Sequence, residues 1–356
     1  MNAPPPPPPP PDNPVHRAVG GDRLATSGLV IPANAPPPPA LTATSWLVAD
    51  LGTGDVLGAC GPHEYGTPAS VQKLLLVAAL IGRLDPQEVV TVTDEDMQFE
   101  PYSSAAGLVT GGRYSVETLW LGLLLSSGND AANVLARLGG GAAGAPGGVG
   151  EMNLTAQRLG AFQTHAVTPS GLDAAGQFTS AYDLALIARA CFADPTFRRY
   201  TMTPQAEIPA QPHLQREGFQ IQNQNRLIDS YPEALGGKTG FTDLARHTYV
   251  GAAQRHGRQL VVTVLGAESL PLQGWEQGAA LLDWGFGIPS GSPVGRLVEP
   301  AETAVSSSPG PGEPGNSALT ETGKARTPLF AIGTAVAVVC VALSAALRRR
   351  RSSRRG

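Results

Sequence analysis

From residue 248 to residue 266 the sequence reads TYVGAAQRHGRQLVVTVLG. Apolar and β-branched residues fill both halves, Thr248 to Gln254 and Gln259 to Gly266, and His256-Gly257-Arg258 lies between them. Two such runs joined by a short turn that contains glycine predict a β-hairpin. The turn is too short for a parallel crossover, so the two strands must be antiparallel.

A second strand pair lies near the start of the globular region. Thr44 to Asp50 and Val56 to Cys60 flank the turn Gly52-Thr53-Gly54-Asp55. Helical spacing of apolar residues follows in six segments, which are 69–84, 115–124, 130–138, 151–159, 181–191 and 275–284. Seven glycines between Gly139 and Gly150 predict a loop. The order of elements predicts an α+β fold, in which an antiparallel sheet is flanked by helices and carries a mostly helical subdomain.

Charge and composition exclude several functions. The chain has 25 Lys and Arg against 29 Asp and Glu, and six arginines lie in the last nine residues. The first 347 residues therefore carry a net charge of −10, whereas nucleic-acid binding needs clustered cations. There is no phosphate-loop motif, and the three cysteines and the histidines lack metal-ligand spacing. We expect no nucleic-acid partner, no metal and no cofactor.

The ends of the chain differ in composition from its middle. The first 39 residues hold 14 prolines, so residues 1–40 are expected to form an extended, disordered arm that acts as a spacer or is read by an aromatic groove. A globular catalytic domain is expected over residues 41–289. Residues 290–327 are rich in Ser, Pro and Gly and are expected to form a flexible linker.

Residues 328–347 carry no charge and are rich in Val, Ala and Leu, which predicts a transmembrane helix. Arginines dominate residues 348–356, which predicts a basic cytoplasmic tail and places the preceding domain outside the cell. Export of that domain would need an N-terminal signal peptide, and none is visible; the longest candidate, Gly28 to Ile31, is too short. Our hypothesis is that Met1 lies downstream of the true start.

Ser70 and Lys73 are the first candidate catalytic pair. A spacing of three residues at the start of a helix puts both side chains on one face, one turn apart. Lysine can deprotonate a serine only if burial or a neighbouring cation lowers its pKa, and the apolar helix that follows can provide the burial. A Ser-x-x-Lys match alone is weak evidence, because a helix-capping serine and a surface lysine give the same pattern.

Two further motifs, together with Ser70 and Lys73, form a set of three candidate catalytic motifs. Ser127-Gly128-Asn129 lies between two predicted helices and can relay a proton and hold a substrate amide. Lys238-Thr239-Gly240 precedes the closing hairpin and can bind a carboxylate and an extended peptide at a strand edge. The three motifs, in this order, are typical of penicillin-binding proteins and β-lactamases.

Over about residues 41 to 287 the chain resembles the serine-type D-alanyl-D-alanine carboxypeptidases, the low-molecular-mass penicillin-binding proteins. The resemblance extends to the segments 68–70, 127–132, 168–173, 225–227 and 236–242. It implies a β-lactamase/transpeptidase-like fold, peptidoglycan stem peptides as substrate and β-lactam antibiotics as acylating inhibitors. It implies Ser70 as nucleophile, Lys73 as base, and Ser127 with Asn129 as proton relay and positioning pair. It also implies substrate binding by Lys238, Thr239 and Gly240, and an oxyanion hole formed by the amides of Ser70 and Phe241.

Several alternatives stay open. Arg246 and Arg258 are both candidates for a further cation on the substrate carboxylate, and Cys60 could pair with Cys191 in an oxidising compartment. Glu151 resembles the deacylating glutamate of class A β-lactamases, but a plain helix start is the interpretation that we favour. A β-lactamase and a catalytically inactive, tethered wall-binding protein remain alternative functions.

Overall fold

The computed structural model describes residues 8–289 and 291–299. In that part of the chain, the strands are β1 Leu29–Val30, β2 Ser45–Asp50, β3 Asp55–Cys60, β4 Val89–Thr91, β5 Arg113–Ser115, β6 Gln205–Ile208, β7 Phe219–Gln222, β8 Ala234–Thr242, β9 Arg246–Arg255, β10 Arg258–Ala267 and β11 Gly295–Arg296. The α-helices are α1 Pro14–Arg17, α2 Lys73–Leu80, α3 Val116–Leu125, α4 Asn129–Gly140, α5 Gly144–Leu159, α6 Ala181–Ala193, α7 Pro195–Thr201, α8 Leu227–Ser230 and α9 Gly274–Phe286. The 3₁₀ turn Ala69–Gln72 leads directly into α2.

The main sheet is antiparallel throughout, as the hairpins predicted, and has the order β1-β3-β2-β10-β9-β8, with β11 also pairing with β3. His256 and Gly257 join β9 to β10 with positive φ angles of 50° and 81°, the geometry of a type I′ hairpin turn. β8 lies at one edge of this sheet. Among the described strands, none pairs with the outer side of β8.

Both faces of the sheet are covered by helices. Along β2, Leu47 and Ala49 belong to the core formed with α2 to α6, whereas Trp46 and Val48 belong to a second core beneath α9. This alternation explains why every residue of β2 is buried. The two cores fix the sheet between α9 and the helical subdomain, so the predicted α+β architecture is confirmed.

The prediction of a disordered arm over residues 1–40 is wrong for its second half. α1 begins at Pro14, β1 pairs with β3, and Leu24 is fully buried. The prolines are concentrated at 4–11 and 36–39, and the proline-free stretch 15–31 has enough apolar residues to pack on the sheet. Proline content averaged over 39 residues hid this stretch.

The predicted start of the linker at residue 290 is also wrong. β11 pairs with β3, and Leu297 is fully buried, so the domain continues at least to residue 299. Within residues 8–289 and 291–299, no helix has both the length and the apolar character needed to cross a membrane. The predicted transmembrane segment 328–347, the basic tail 348–356 and the remaining linker lie outside the described residues.

The glycine-rich stretch 139–150 is not a loop. α4 extends to Gly140, and α5 starts at Gly144 and runs through Glu151. The glycines of α5 allow it to approach α4 closely. A Cβ on Gly148 would lie 2.1 Å from the backbone oxygen of Ala136 in α4. Tertiary packing has overridden the low helix propensity of glycine.

This contact predicts opposite effects for two substitutions in one helix. Gly148→Ala should lower the free energy of unfolding by about 1–3 kcal/mol, because the added methyl group collides with backbone that cannot move freely. Gly150→Ala, whose Cβ would meet nothing within 4 Å, should raise it by about 0.5–1 kcal/mol through helix propensity. Urea denaturation measures both. Equal effects of the two substitutions would contradict the close packing of α4 on α5.

Candidate active site

Ser70 lies in the 3₁₀ turn that opens α2, at the floor of a cleft of about 730 Å³. The preceding residue, Ala69, has a φ of 49°, a strained conformation that turns the chain into the helix. Thr248 on β9 donates a hydrogen bond of 2.8 Å to the carbonyl of Pro68 and so fixes this turn to the sheet. Gly240 on β8 passes so close that a Cβ there would lie 2.8 Å from the amide nitrogen of Ser70.

Lys73 is fully buried, one helical turn after Ser70. Its Nζ lies 2.8 Å from Ser70 Oγ, 2.8 Å from Asn129 Oδ1 and 2.8 Å from the carbonyl oxygen of Ser170. Burial lowers the pKa of Lys73 well below its usual value; the Lys238 cation lowers it further, and Asp130 opposes both. A neutral amine has two hydrogens and one lone pair, so it can donate to Asn129 and Ser170 and still accept the Ser70 proton.

Ser127 lies in the short connection between α3 and α4, and Asn129 is the first residue of α4. Ser127 has a φ of 61°, and its Oγ accepts a hydrogen bond of 2.9 Å from Lys238 Nζ. Asn129 donates from Nδ2 to Ser103 Oγ at 3.0 Å, which orients its Oδ1 towards Lys73. Hydrogen bonds from Lys238 to Ser127 and from Lys73 to Asn129 thus fix this part of the chain.

Asp130 fixes the connection between α3 and α4, a role that the sequence did not predict. Its buried carboxylate accepts four backbone N–H bonds of 2.8–2.9 Å, from Ala106, Gly107, Leu108 and Ala131. Three of these amides belong to the loop that continues from Ser103, so one carboxylate positions both the loop and the start of α4.

Lys238 to Phe241 lie on the edge strand β8, as the sequence predicted. Lys238 is buried, donates to Ser127 Oγ and to the Thr239 carbonyl, and has its pKa lowered to about 7 by burial. Thr239, Gly240 and Phe241 line the cleft. The structure therefore brings all eight predicted site residues to one place.

The segment 168–173 closes the cleft on the side of α2. Gly171 has a φ of 85°, and a Cβ there would lie 2.0 Å from the carbonyl oxygen of Ala69. Asp173 accepts a hydrogen bond of 2.8 Å from Thr242 at the end of β8. The role of this segment was missed at the level of sequence, because Ser170 acts on Lys73 through its backbone oxygen.

Neither of the two predicted carboxylate-binding arginines lies free in the cleft. Arg246 forms an ion pair of 2.9 Å with Glu268, and Arg258 lies 3.6 Å from Asp50. A third arginine, Arg226, lines the cleft, and in the described part of the chain its guanidinium has no hydrogen bond or ion pair. No aspartate or glutamate is among the described residues that line the cleft.

Two remaining alternatives concern cysteine and Glu151. Cys60 and Cys191 are free thiols in the structure, and the Cys191 Sγ lies 3.1 Å from the carbonyl oxygen of Leu74. Glu151 lies inside α5, paired with Arg83 at 2.6 Å and away from the cleft lining. In residues 8–289 and 291–299 there is no group of three or more His, Cys, Asp or Glu side chains that could hold a metal ion.

Solved structures with similar folds define the class. A D-alanyl-D-alanine carboxypeptidase from Mycobacterium tuberculosis superposes with a TM-score of 0.70 and 40% identity, covering 75% of this chain and 100% of that one. The Streptomyces K15 DD-transpeptidase superposes with a TM-score of 0.67 and 27% identity, covering 71% of this chain and 100% of that one. The fold is the transpeptidase fold of penicillin-binding proteins.

Sequence comparison identifies the family. The D-alanyl-D-alanine carboxypeptidase family, peptidase family S11, matches residues 32–269. DacB2 of Mycobacterium tuberculosis is 42% identical over 273 residues, which are 75% of this chain and 90% of DacB2. DacD of Salmonella typhimurium is 38% identical over 70% of this chain and 64% of its own length. The chain therefore belongs to the S11 family of D-alanyl-D-alanine carboxypeptidases, which are serine hydrolases.

The approach of β8 to Ser70 predicts the effect of one methyl group. Gly240→Ala would place Cβ 2.8 Å from the Ser70 amide and 2.4 Å from Thr248 Oγ1, so the strand must shift away from the serine. A shift of β8 would displace the Phe241 amide, which we expect to be an oxyanion donor. Acylation by a fluorescent penicillin should therefore slow by about 10²-fold, the usual cost of losing one such donor. Gly82→Ala is the control, because its Cβ would meet nothing within 4 Å. An unchanged acylation rate in Gly240→Ala would contradict the tight contact.

Proposed function

We propose that Ser70 is the nucleophile of a carboxypeptidase that removes the terminal D-alanine from peptidoglycan pentapeptides through an acyl-enzyme. The observation that carries this proposal is the 2.8 Å contact between Ser70 Oγ and the buried Lys73 Nζ. Burial lowers the pKa of Lys73 and so favours the neutral amine, which can take the serine proton.

The acylation step follows from the hydrogen bonds. Ser70 Oγ attacks the carbonyl carbon of the penultimate D-alanine while its proton passes to Lys73. The negative charge that forms on the carbonyl oxygen is stabilised by the amides of Ser70 and Phe241. The C–N bond then breaks, and the leaving amine receives a proton from Ser127, which Lys238 can replenish across 2.9 Å. Water then hydrolyses the ester at Ser70: Lys73 returns its proton to the serine oxygen as the ester bond breaks, and the proton lost by the water restores Lys238.

The two lysines have different tasks because their surroundings differ. Lys238 lowers the pKa of Lys73 by its charge, whereas burial alone lowers its own pKa to about 7. A charged Lys238 beside a neutral Lys73 gives one cation for the substrate carboxylate and one base for Ser70.

We also propose that Arg226 binds the terminal carboxylate together with Thr239. The amide of Gln224 donates to the carbonyl of Leu125, two residues before Ser127, and Asn225 accepts from Tyr249, the cross-strand neighbour of Thr239. Arg226 therefore lies at the Ser127 and Lys238 end of the cleft, where the leaving residue must sit. A cleft without acidic residues in an acidic domain favours an anionic substrate.

A β-lactamase is the alternative enzyme. Rapid hydrolysis of a penicilloyl-enzyme by the class A route uses a carboxylate, and neither Glu151 nor any other described acidic residue lines the cleft. This arrangement favours a long-lived penicilloyl adduct and hence the carboxypeptidase. Mass spectrometry of the intact protein after penicillin treatment distinguishes the two, because rapid return to the unmodified mass would indicate a β-lactamase.

We further propose that the enzyme is exported and anchored by residues 328–347, with residues 348–356 in the cytoplasm. The support is compositional: twenty uncharged residues are followed by a cluster of arginines. Carbonate washing of membranes should leave the full chain bound and release a chain ending at residue 327. Release of both chains would contradict the anchor.

Replacing the nucleophile tests the main proposal. Ser70→Ala should abolish both D-alanine release and labelling by a fluorescent penicillin, because no hydroxyl remains to be acylated. Ser230→Ala, on an exposed serine at the end of α8, is the control and should keep both activities. Labelling that survives Ser70→Ala would refute the assignment.

A pair of substrates tests the proposed role of Arg226. Arg226→Gln should lower kcat/KM about 10- to 100-fold for a peptide that ends in a free carboxylate, the value of a charged hydrogen bond. The same peptide with a terminal carboxamide should react equally with both enzymes. Arg246→Gln is the control, because Glu268 already pairs with that arginine. An equal loss with both substrates, or a selective loss in Arg246→Gln, would contradict the role of Arg226.

A further inference from the structure

A second groove lies next to the catalytic cleft, on the far side of the Arg246–Glu268 ion pair. Its cavity volume is about 540 Å³. Its lining includes Tyr65, Phe178, Leu265 and Gly266 from the body of the domain, and Pro8, Pro9 and Pro10 from the N-terminal arm lie against it. The proline tract that the catalytic mechanism does not use therefore has a partner surface in its own chain.

The aromatic wall of the groove has the shape that proline rings require. Tyr65 and Phe178 meet edge to face, with ring centroids 5.2 Å apart and planes at 85°. His165 stacks on Phe178 at 5.8 Å and holds that ring in place. Grooves lined by aromatic rings bind polyproline II helices, because the helix is already extended and loses little entropy on docking.

The arm is fixed at the entrance to this groove. Arg17 in α1 pairs with Glu64, the residue directly before Tyr65, at 2.8 Å. Asn13 accepts a hydrogen bond from the amide of Val15 and caps α1, and His16 stacks on Phe162 at 5.2 Å. These contacts hold residue 13, and with it Pro8 to Pro10, close to Tyr65.

The chemistry of the groove suits a ligand without charge or backbone donors. Pro4 to Pro11 are eight consecutive prolines, none of which has a backbone N–H to satisfy. Arg246 and Glu268 neutralise each other where they line the groove. A charged or donor-rich peptide would gain no complementary partner from this pair.

We infer that the Tyr65–Phe178 groove is a binding site for a polyproline II helix, occupied in the same molecule by the chain's own proline arm. The tether at Arg17 gives the arm a high effective concentration, of millimolar order for short linkers. A free proline peptide that binds weakly is therefore excluded while the arm is present. The inference is independent of the chemistry proposed for Ser70.

The test uses the full chain with all eight prolines Pro4 to Pro11 replaced by alternating Gly and Ser. A fluorescein-labelled octaproline peptide should bind this variant, as measured by fluorescence anisotropy, and should bind the unaltered chain at least about tenfold more weakly because the arm competes. A labelled (Gly-Ser)₄ peptide of the same length is the ligand control. Adding Phe178→Leu to the arm variant should remove binding, since leucine keeps the apolar volume but lacks the ring.

Urea denaturation of each variant checks that the domain is folded. As a second variant, Tyr65→Leu guards against a specific folding defect of Phe178→Leu. Octaproline binding that is absent from the arm variant, or equally strong in the unaltered chain, would overturn the inference. Binding that survives both aromatic substitutions in folded protein would place the site elsewhere and would overturn it too.

Discussion

The site depends on a single buried amine. Lys73 has no exposure to solvent, and its three partners at 2.8 Å come from three different parts of the chain: Ser70 in its own turn, Asn129 at the start of α4 and Ser170 in the segment that closes the cleft. Burial favours the neutral form, and the hydrogen bonds fix where its lone pair points. A lysine in the same sequence position on the surface would be a cation unable to accept a proton.

Much of the surrounding structure holds those three partners in place. The carboxylate of Asp130 secures the loop 103–108 and the start of α4, Thr248 secures the turn before Ser70, and Thr242 secures Asp173. Two residues next to these partners have strained positive φ angles: Ala69, directly before Ser70, and Ser127, two residues before Asn129. Such strain persists only where neighbouring contacts hold it, and here the contacts come from both the sheet and the helical subdomain.

The sequence predicted the hairpins and most helices, and it selected the eight residues that the structure brings together, because each rests on local spacing or on short motifs. It failed where the deciding contact is distant in sequence. The glycines of 139–150 allow α5 to approach Ala136, and residues 14–31 gain order from distant partners, among them β3, Glu64 and Phe162. Ser170 contributes a backbone oxygen, which leaves no side-chain signal in the sequence. Arg226 becomes the candidate for the substrate carboxylate only once Arg246 and Arg258 are seen to pair with Glu268 and Asp50.

The positions of β1 and β11 on the sheet have a mechanical consequence. β1 and β11 both pair with β3, whereas the reactive serine faces β8, four strand spacings or about 19 Å away across the sheet. A pulling force on residue 299 is borne first by the Arg189–Glu299 ion pair and the hydrogen bond from the Val298 amide to Tyr182, and then by the β11–β3 bonds. None of these contacts involves β8, so the geometry around the serine is insulated from a load applied at residue 299.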